Sequence, residues 1–224
     1  MKLTKLPARK GYVEEVYHRL LDAIVDGSLA PGARITQEEV AAQLDVSRSP
    51  VLQALGLLKK DGLLRDAPGR GLEVAPVDAL GIGHLYEVRG ALDALAARLA
   101  AGHRAIIPIA LIAAGREAAR NADLKGLIDT DTALHRAIYD ASGNPLLRET
   151  AELHWIHLRR AMGARLRASL AREEIWDEHE AIVIAIAAGD GARAAALSEE
   201  HTELARRSLL GSLERIAVGE ASAA

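Results

Sequence analysis

The sequence predicts a mainly α-helical protein in two parts, an N-terminal unit of three helices with a β-hairpin and a C-terminal bundle of six helices. Three observations lead there. Apolar residues recur at three- and four-residue spacing along most of the 224-residue chain, the period of an amphipathic helix. Alanine and leucine dominate, aromatic residues make up 3 % and phenylalanine is absent, a bias towards packed helices over sheets. Between residues 63 and 76 the period breaks into two short extended runs around "PGRG", the mark of a hairpin.

The first helix is expected over 12–26, where Val13, Val16, Tyr17, Leu20 and Ile24 form the apolar stripe. Gly27 stops it and "LAPGA" turns the chain. Thr36 opens a second helix with Glu39 three residues on, a capping box, and that helix ends near Leu44. "DVS" is a tight connection, and Ser47 is a suitable N-cap for a third helix. Pro50 lies in its first turn, where a missing N–H does no harm. Val51, Ala54, Leu55 and Leu58 are its buried stripe, and Gly62 ends it. Three helices, a very short second connection and a hairpin are the order of a winged helix-turn-helix, assigned to residues 10–76.

Asp78 can cap the next helix, and helices are expected near 78–101, 105–121, 124–141, 145–169, 172–188 and 190–217. Gly102, the stretch 121–123, Gly143 to Pro145, the region of Ser169 and Gly189 to Gly191 separate them. Residues 1–9 read as a loose basic arm and "VGEASAA" as a frayed tail.

The chain has no cysteine, so disulfides and thiolate zinc sites are excluded, and any transition-metal site must use His, Asp or Glu. No apolar run reaches the length of a membrane span and no signal-peptide pattern opens the sequence, which points to the cytoplasm. The net charge of −3 taken alone argues against a nucleic-acid partner. Its distribution differs: residues 1–76 hold 11 basic and 10 acidic side chains, and the rest hold 17 and 21. A DNA reader of this kind would depend on a local basic face.

Such a face is available. The third helix exposes Arg48, Ser49, Leu52, Gln53, Gly56, Lys59 and Lys60, and in a winged helix-turn-helix its N-terminal residues enter the major groove. Arg48 can pair with guanine, and Gln53 with adenine or a phosphate. Arg70 stands between Gly69 and Gly71, so the wing backbone can approach the duplex and Arg70 can enter the minor groove. Lys59, Lys60 and Arg65 fit phosphate contacts or solvated charge. A second constellation is "DTDTALHRAI" at 129–138, which sets Asp131 and His135 one helical turn apart on one face. That pair is either a surface ion pair or half of a metal site.

"GARITQEEVAAQLDVSRSPVLQALGLLKKDGLLRDAPGRGLEVAP" (32–76) resembles the DNA-binding domain of GntR-family bacterial transcription regulators. The resemblance implies DNA contact by Arg48 at the start of the recognition helix and by Arg70 with Gly71 at the wing tip. Where the family usually has "PVREAL" this chain has "PVLQAL", so Leu52 replaces an arginine that typically touches DNA and Gln53 a glutamate. Residues 78–217 resemble the all-helical FCD effector-binding and dimerisation domain of the FadR-type subfamily, in its shorter VanR-like form. "YEVRGALDALAARLAA" (86–101), "ALHRAIYDASGNPLL" (133–147) and "DEHEAIVIAIAAGDGARAAALSEEH" (177–201) carry the likeness.

The family's metal pattern is Asp-x3-His followed by one His on each of two later helices. It implies a divalent transition metal on Asp131, His135, His179 and His201, with Zn²⁺ expected and Ni²⁺, Mn²⁺ or Fe²⁺ also suited to the donors. Arg89, in an apolar stretch, can pair with an effector carboxylate or sit in a buried salt bridge, for instance with a helix glutamate. The combined expectation is a transcription regulator acting as a homodimeric repressor on a double-stranded operator, controlled by a small carboxylate-type effector. The alternatives are a metal-dependent hydrolase and a DNA-binding protein with a purely structural metal.

Overall fold

The computed structural model describes residues 11–168 and 173–223. The basic arm, the break near Ser169 and the start of the helix expected from residue 172 lie outside the described residues. The chain divides between Pro76 and Val77 into two compact units. It is mainly helical, with nine helices and one small sheet among the described residues.

In the first unit, α1 (Tyr12–Asp26), α2 (Gln37–Leu44) and α3 (Arg48–Lys60) surround a core of Val16, Leu20, Ile24, Val51, Leu55 and Leu58. Gly27 ends α1 in the left-handed conformation, φ 85°. The Glu39 amide donates to Thr36 Oγ1 at 3.3 Å, as the capping box requires. The reverse half differs: the Thr36 hydroxyl, not its amide, donates to the Glu39 carboxylate at 2.8 Å. Ser47 takes the N-cap position of α3 with extended φ/ψ but makes no side-chain cap bond.

The hairpin joins β2 (Leu64–Asp66) to β3 (Leu72–Val74), with Arg65 opposite Glu73. A third strand, β1 (Arg34–Ile35), pairs antiparallel with β3 and gives the order β1-β3-β2. Two residues are too short to show an alternating pattern, so this strand has no counterpart in the sequence reading. The wing tip closes through the Ala67 amide donating to the Gly71 carbonyl at 3.1 Å. Gly69 and Gly71 have φ of 93° and 94°, values that side-chain-bearing residues rarely adopt.

The second unit comprises α4 (Ala79–Gly102), α5 (Ala110–Arg120), α6 (Leu124–Ala141), α7 (Pro145–Ala168), α8 (Glu174–Ala188) and α9 (Gly191–Ala223). Asp78 caps α4 by accepting from the Leu80 amide at 3.1 Å, and Asp123 caps α6 by accepting from Gly126 at 2.9 Å. Two boundaries differ from expectation. Helix α5 starts at Ala110 rather than 105, because Pro108 biases Ile107 away from helical backbone. Helix α9 runs on to Ala223 through the stretch read as a frayed tail. Buried alanines 94, 96, 97, 100 and 101 on α4 let it pack closely along α9. No helix among the described residues is long and apolar enough to cross a membrane.

Candidate metal centre and DNA-reading face

Helices α6, α8 and α9 bring Asp131, His135, His179 and His201 together. All four are buried, and one potential ligand atom from each lies within 4.8 Å of the others. Asp131 and His135 share a face of α6, and His179 and His201 come from the two helices flanking the Gly189–Asp190 turn. His179 Nε2 stands 3.2 Å from His201 Nε2 and 3.5 Å from Asp131 Oδ1, and His135 Nε2 is 4.0 Å from Asp131 Oδ2. A surface ion pair is thereby excluded for Asp131 and His135, whose residues are 7 % and 3 % exposed.

The outer atoms of the histidines set what the inner ones can do. His201 Nδ1 lies 2.7 Å from Glu178 Oε2. A proton held there by the carboxylate leaves the Nε2 lone pair facing inward. His135 Nδ1 faces Asp93 Oδ2 at 3.4 Å, which orients that ring in the same sense. Burial, together with His201, His135 and Arg89, pushes the His179 imidazole well below the ordinary histidine range, so it stays neutral. Asp131 Oδ2 and His179 Nδ1 are buried without a hydrogen-bond partner among the described residues. Three inward imidazole nitrogens and a carboxylate oxygen left unbonded are a donor set for a late first-row divalent ion. Cis ligand atoms on such an ion stand about 3.0–3.5 Å apart at bond lengths of about 2.1 Å. The His179–His201 and His179–Asp131 separations already meet that spacing, whereas the His135–Asp131 separation of 4.0 Å exceeds it.

Asp93, which the sequence did not single out, is the hub beside this cluster. It accepts from Arg89 Nε at 3.1 Å, from Thr202 Oγ1 at 3.3 Å and from the Tyr139 hydroxyl. Burial alone would raise the Asp93 carboxyl, but His135, Arg89 and the Tyr139 bond hold it well below the usual carboxylate range. Arg89 thus sits in a buried salt bridge, with an aspartate one turn away in place of the glutamate anticipated. Its guanidinium lies 4.9 Å from the Trp155 ring and 5.5 Å from that of Tyr86. A cavity of about 360 Å³ opens against the cluster, with Arg89, Asp131, His201, Glu178, Arg165 and Trp176 among its lining. Trp176, a further residue the sequence reading passed over, contacts the His179 ring edge-on at 4.9 Å. It fits only because position 115 is glycine: a Cβ there would lie 2.1 Å from Trp176 Cζ2.

In the first unit, Arg48, Ser49, Leu52, Gln53, Gly56, Lys59 and Lys60 are all exposed on α3. Arg48 lies 3.3 Å from Glu38 on α2, and Gln53 Nε2 donates to Ser49 Oγ at 3.4 Å. Arg70 and Gly71 are exposed at the wing tip. Lys59 pairs with Asp66 at 2.6 Å and Arg65 with Glu73 at 2.7 Å, so two of the three cations read as phosphate contacts or solvated charge carry acidic partners.

Residues 12–74 match the family model "Bacterial regulatory proteins, gntR family", and residues 84–204 match that of the FCD domain. An HTH-type transcriptional regulator in an unstable DNA locus of Streptomyces ambofaciens is 29 % identical over 207 residues, covering 90 % of this chain and 85 % of its own. A probable D-xylose utilization operon transcriptional repressor of Paenarthrobacter nicotinovorans is 27 % identical over 84 % of each chain. Among solved structures, E. coli McbR/YncC superposes with a TM-score of 0.75 at 24 % identity, covering 88 % of this chain and 96 % of its own.

Proposed function

Because this chain belongs to the GntR family of bacterial regulatory proteins and carries an FCD domain, we propose that it is a homodimeric repressor, acting in the cytoplasm and released from its operator by a small carboxylate. It is a DNA-binding transcription regulator, and its family and relatives are regulators rather than enzymes. The repressor sense is borrowed from the Paenarthrobacter relative. Two identical reading heads suit a palindromic operator.

The buried Asp131, His135, His179 and His201 cluster opening onto a cavity carries the effector half of this reading. These four side chains hold a divalent metal, Zn²⁺ before Ni²⁺, Mn²⁺ or Fe²⁺. When bound, the metal supplies a Lewis-acidic centre for an anionic ligand. Glu178 and Asp93 keep the His201 and His135 rings turned inward. Arg89 and Arg165 give the cavity cationic groups suited to a carboxylate. A ligand that binds one conformation better shifts the population away from the DNA-binding state. The test is elemental analysis of protein purified without an affinity tag, followed by melting with and without chelator. Stoichiometric metal and a lower Tm in chelator are expected. His179→Ala should lose metal and chelator sensitivity together while keeping its helical content. No metal uptake from Zn²⁺, Ni²⁺ or Mn²⁺ sinks the reading.

At the reading face, Arg48 projects from the first turn of α3, where base edges come within reach. Its exposed pairing with Glu38 is weak enough to give way to DNA. Arg48→Ala should cost about 1–3 kcal/mol of specific binding and relax preference at one operator position. Isotherms on single-base operator variants measure it, and an unchanged profile removes Arg48 from the interface. Ser49, Gln53, Arg70 and Gly71 complete the contact set, with Arg70 directed to the minor groove.

Leu52 is 61 % exposed on the same face. It can touch a thymine methyl but cannot bond a phosphate. Leu52→Arg should raise non-specific affinity and steepen its salt dependence by roughly one phosphate contact. Titrations on non-specific duplex at several salt concentrations decide it, and an unaltered slope means the side chain does not reach the backbone.

A further inference from the structure

We propose that Arg89 is an internal competitor of the metal, occupying the His135 lone pair that a metal would use, and that an anion in the adjacent cavity promotes metal binding by drawing Arg89 away. The proposal rests on the cluster being a metal centre and adds how that centre is regulated.

Arg89 Nη2 lies 2.7 Å from His135 Nε2 and 3.9 Å from Asp131 Oδ2. An imidazole nitrogen has one in-plane lone pair, which can accept an N–H or bind a metal but not both. A guanidinium stays protonated and has no acceptor atom, so Arg89 cannot itself become a ligand. The cluster therefore already holds a cation, bonded to one of its four donors and near a second. His135 also stands outside the spacing a metal requires, 4.0 Å from Asp131.

The competitor can yield without the fold yielding. Asp93 anchors Arg89 through Nε at 3.1 Å, and Trp155 covers the guanidinium face. The rigid guanidinium has to swing as one plane about Cδ–Nε, and Arg89 already lines the cavity shared with Asp131, His201 and Arg165. A carboxylate there offers the fork of acceptors that a guanidinium prefers. Held by that anion, Arg89 leaves the His135 lone pair free. Because the coupling is an equilibrium free energy, the metal must strengthen anion binding by the same factor.

The experiment is calorimetric titration of Zn²⁺ into chelator-stripped full-length protein, with and without succinate as the anion, for wild type, Arg89→Gln and Arg89→Lys. Wild-type Zn²⁺ affinity should rise about 5–150-fold in saturating succinate. Arg89→Gln should bind Zn²⁺ tightly without succinate and gain nothing from it. Arg89→Lys keeps a charge beside Asp93 but is too short to serve both Asp93 and His135, so it gives the same result if the neutral variant fails to fold. Equal Zn²⁺ affinity in wild type and the variants, no succinate gain in wild type, or a gain retained without Arg89 overturns the proposal while leaving the metal centre intact. Failure of every protein to bind Zn²⁺ removes the centre itself, and the proposal with it.

Discussion

Asp93→Ala is expected to destabilise the second unit by about 3–5 kcal/mol, the cost of breaking a buried ion pair from one side. Arg89, 4 % exposed, would keep its charge with no carboxylate in contact at Nε. The Tyr139 hydroxyl would lose its acceptor, whereas the Thr202 hydroxyl keeps the Ser198 carbonyl at 2.9 Å. Asp93→Asn keeps the shape and removes the charge, so its loss should be smaller. Urea unfolding of chelator-treated protein measures both. A loss below about 1 kcal/mol for the alanine variant would mean that the four groups around Asp93 find other partners or water.

Trp176→Ala should cost about 3–5 kcal/mol, the range for truncating a fully enclosed aromatic ring. Trp176 is 1 % exposed, edges the His179 ring and presses against the bare backbone of Gly115. Gly115→Ala alone should also destabilise, by about 1–3 kcal/mol, because its methyl would overlap the indole and the core must shift to admit it. The pair should be strongly non-additive, since the methyl is harmless once the indole has gone. Melts of the two single variants and the double variant form the cycle, and additive losses would show that residues 115 and 176 do not share this space.

How much of this is legible in the sequence depends on the range of the signal. Asp131 and His135 stand out because both lie on one turn of an apolar helix, and the choice between surface pair and metal site turns on burial, which a single sequence does not contain. Nothing local marks His179 and His201. They enter through the family resemblance, and the structure brings them to Asp131 from other helices. Arg89 and Asp93 repeat the i,i+4 spacing in "RGALD", a local mark of the pair that carries no sign of its burial. Trp176 and Gly115 are 61 positions apart, and no spacing rule links a glycine to the ring it admits. The helices and their caps are read closely because period, capping residues and breakers act within a few residues. The strand at Arg34–Ile35 escapes because its partner, β3, lies 37 or more positions away.

Only Gly189 and Asp190 separate α8 from α9, so closing that hairpin costs little chain entropy and its contacts are near in sequence. His179 and His201 are 22 residues apart along the chain but face each other across this local unit. Asp131 and His135 are likewise supplied ready-aligned by one turn of α6. The four side chains of the cluster thus come as two pre-aligned pairs, and the non-local contact that brings them together is the docking of α6 against the α8–α9 hairpin. Neither pair alone gathers the four side chains; that docking does.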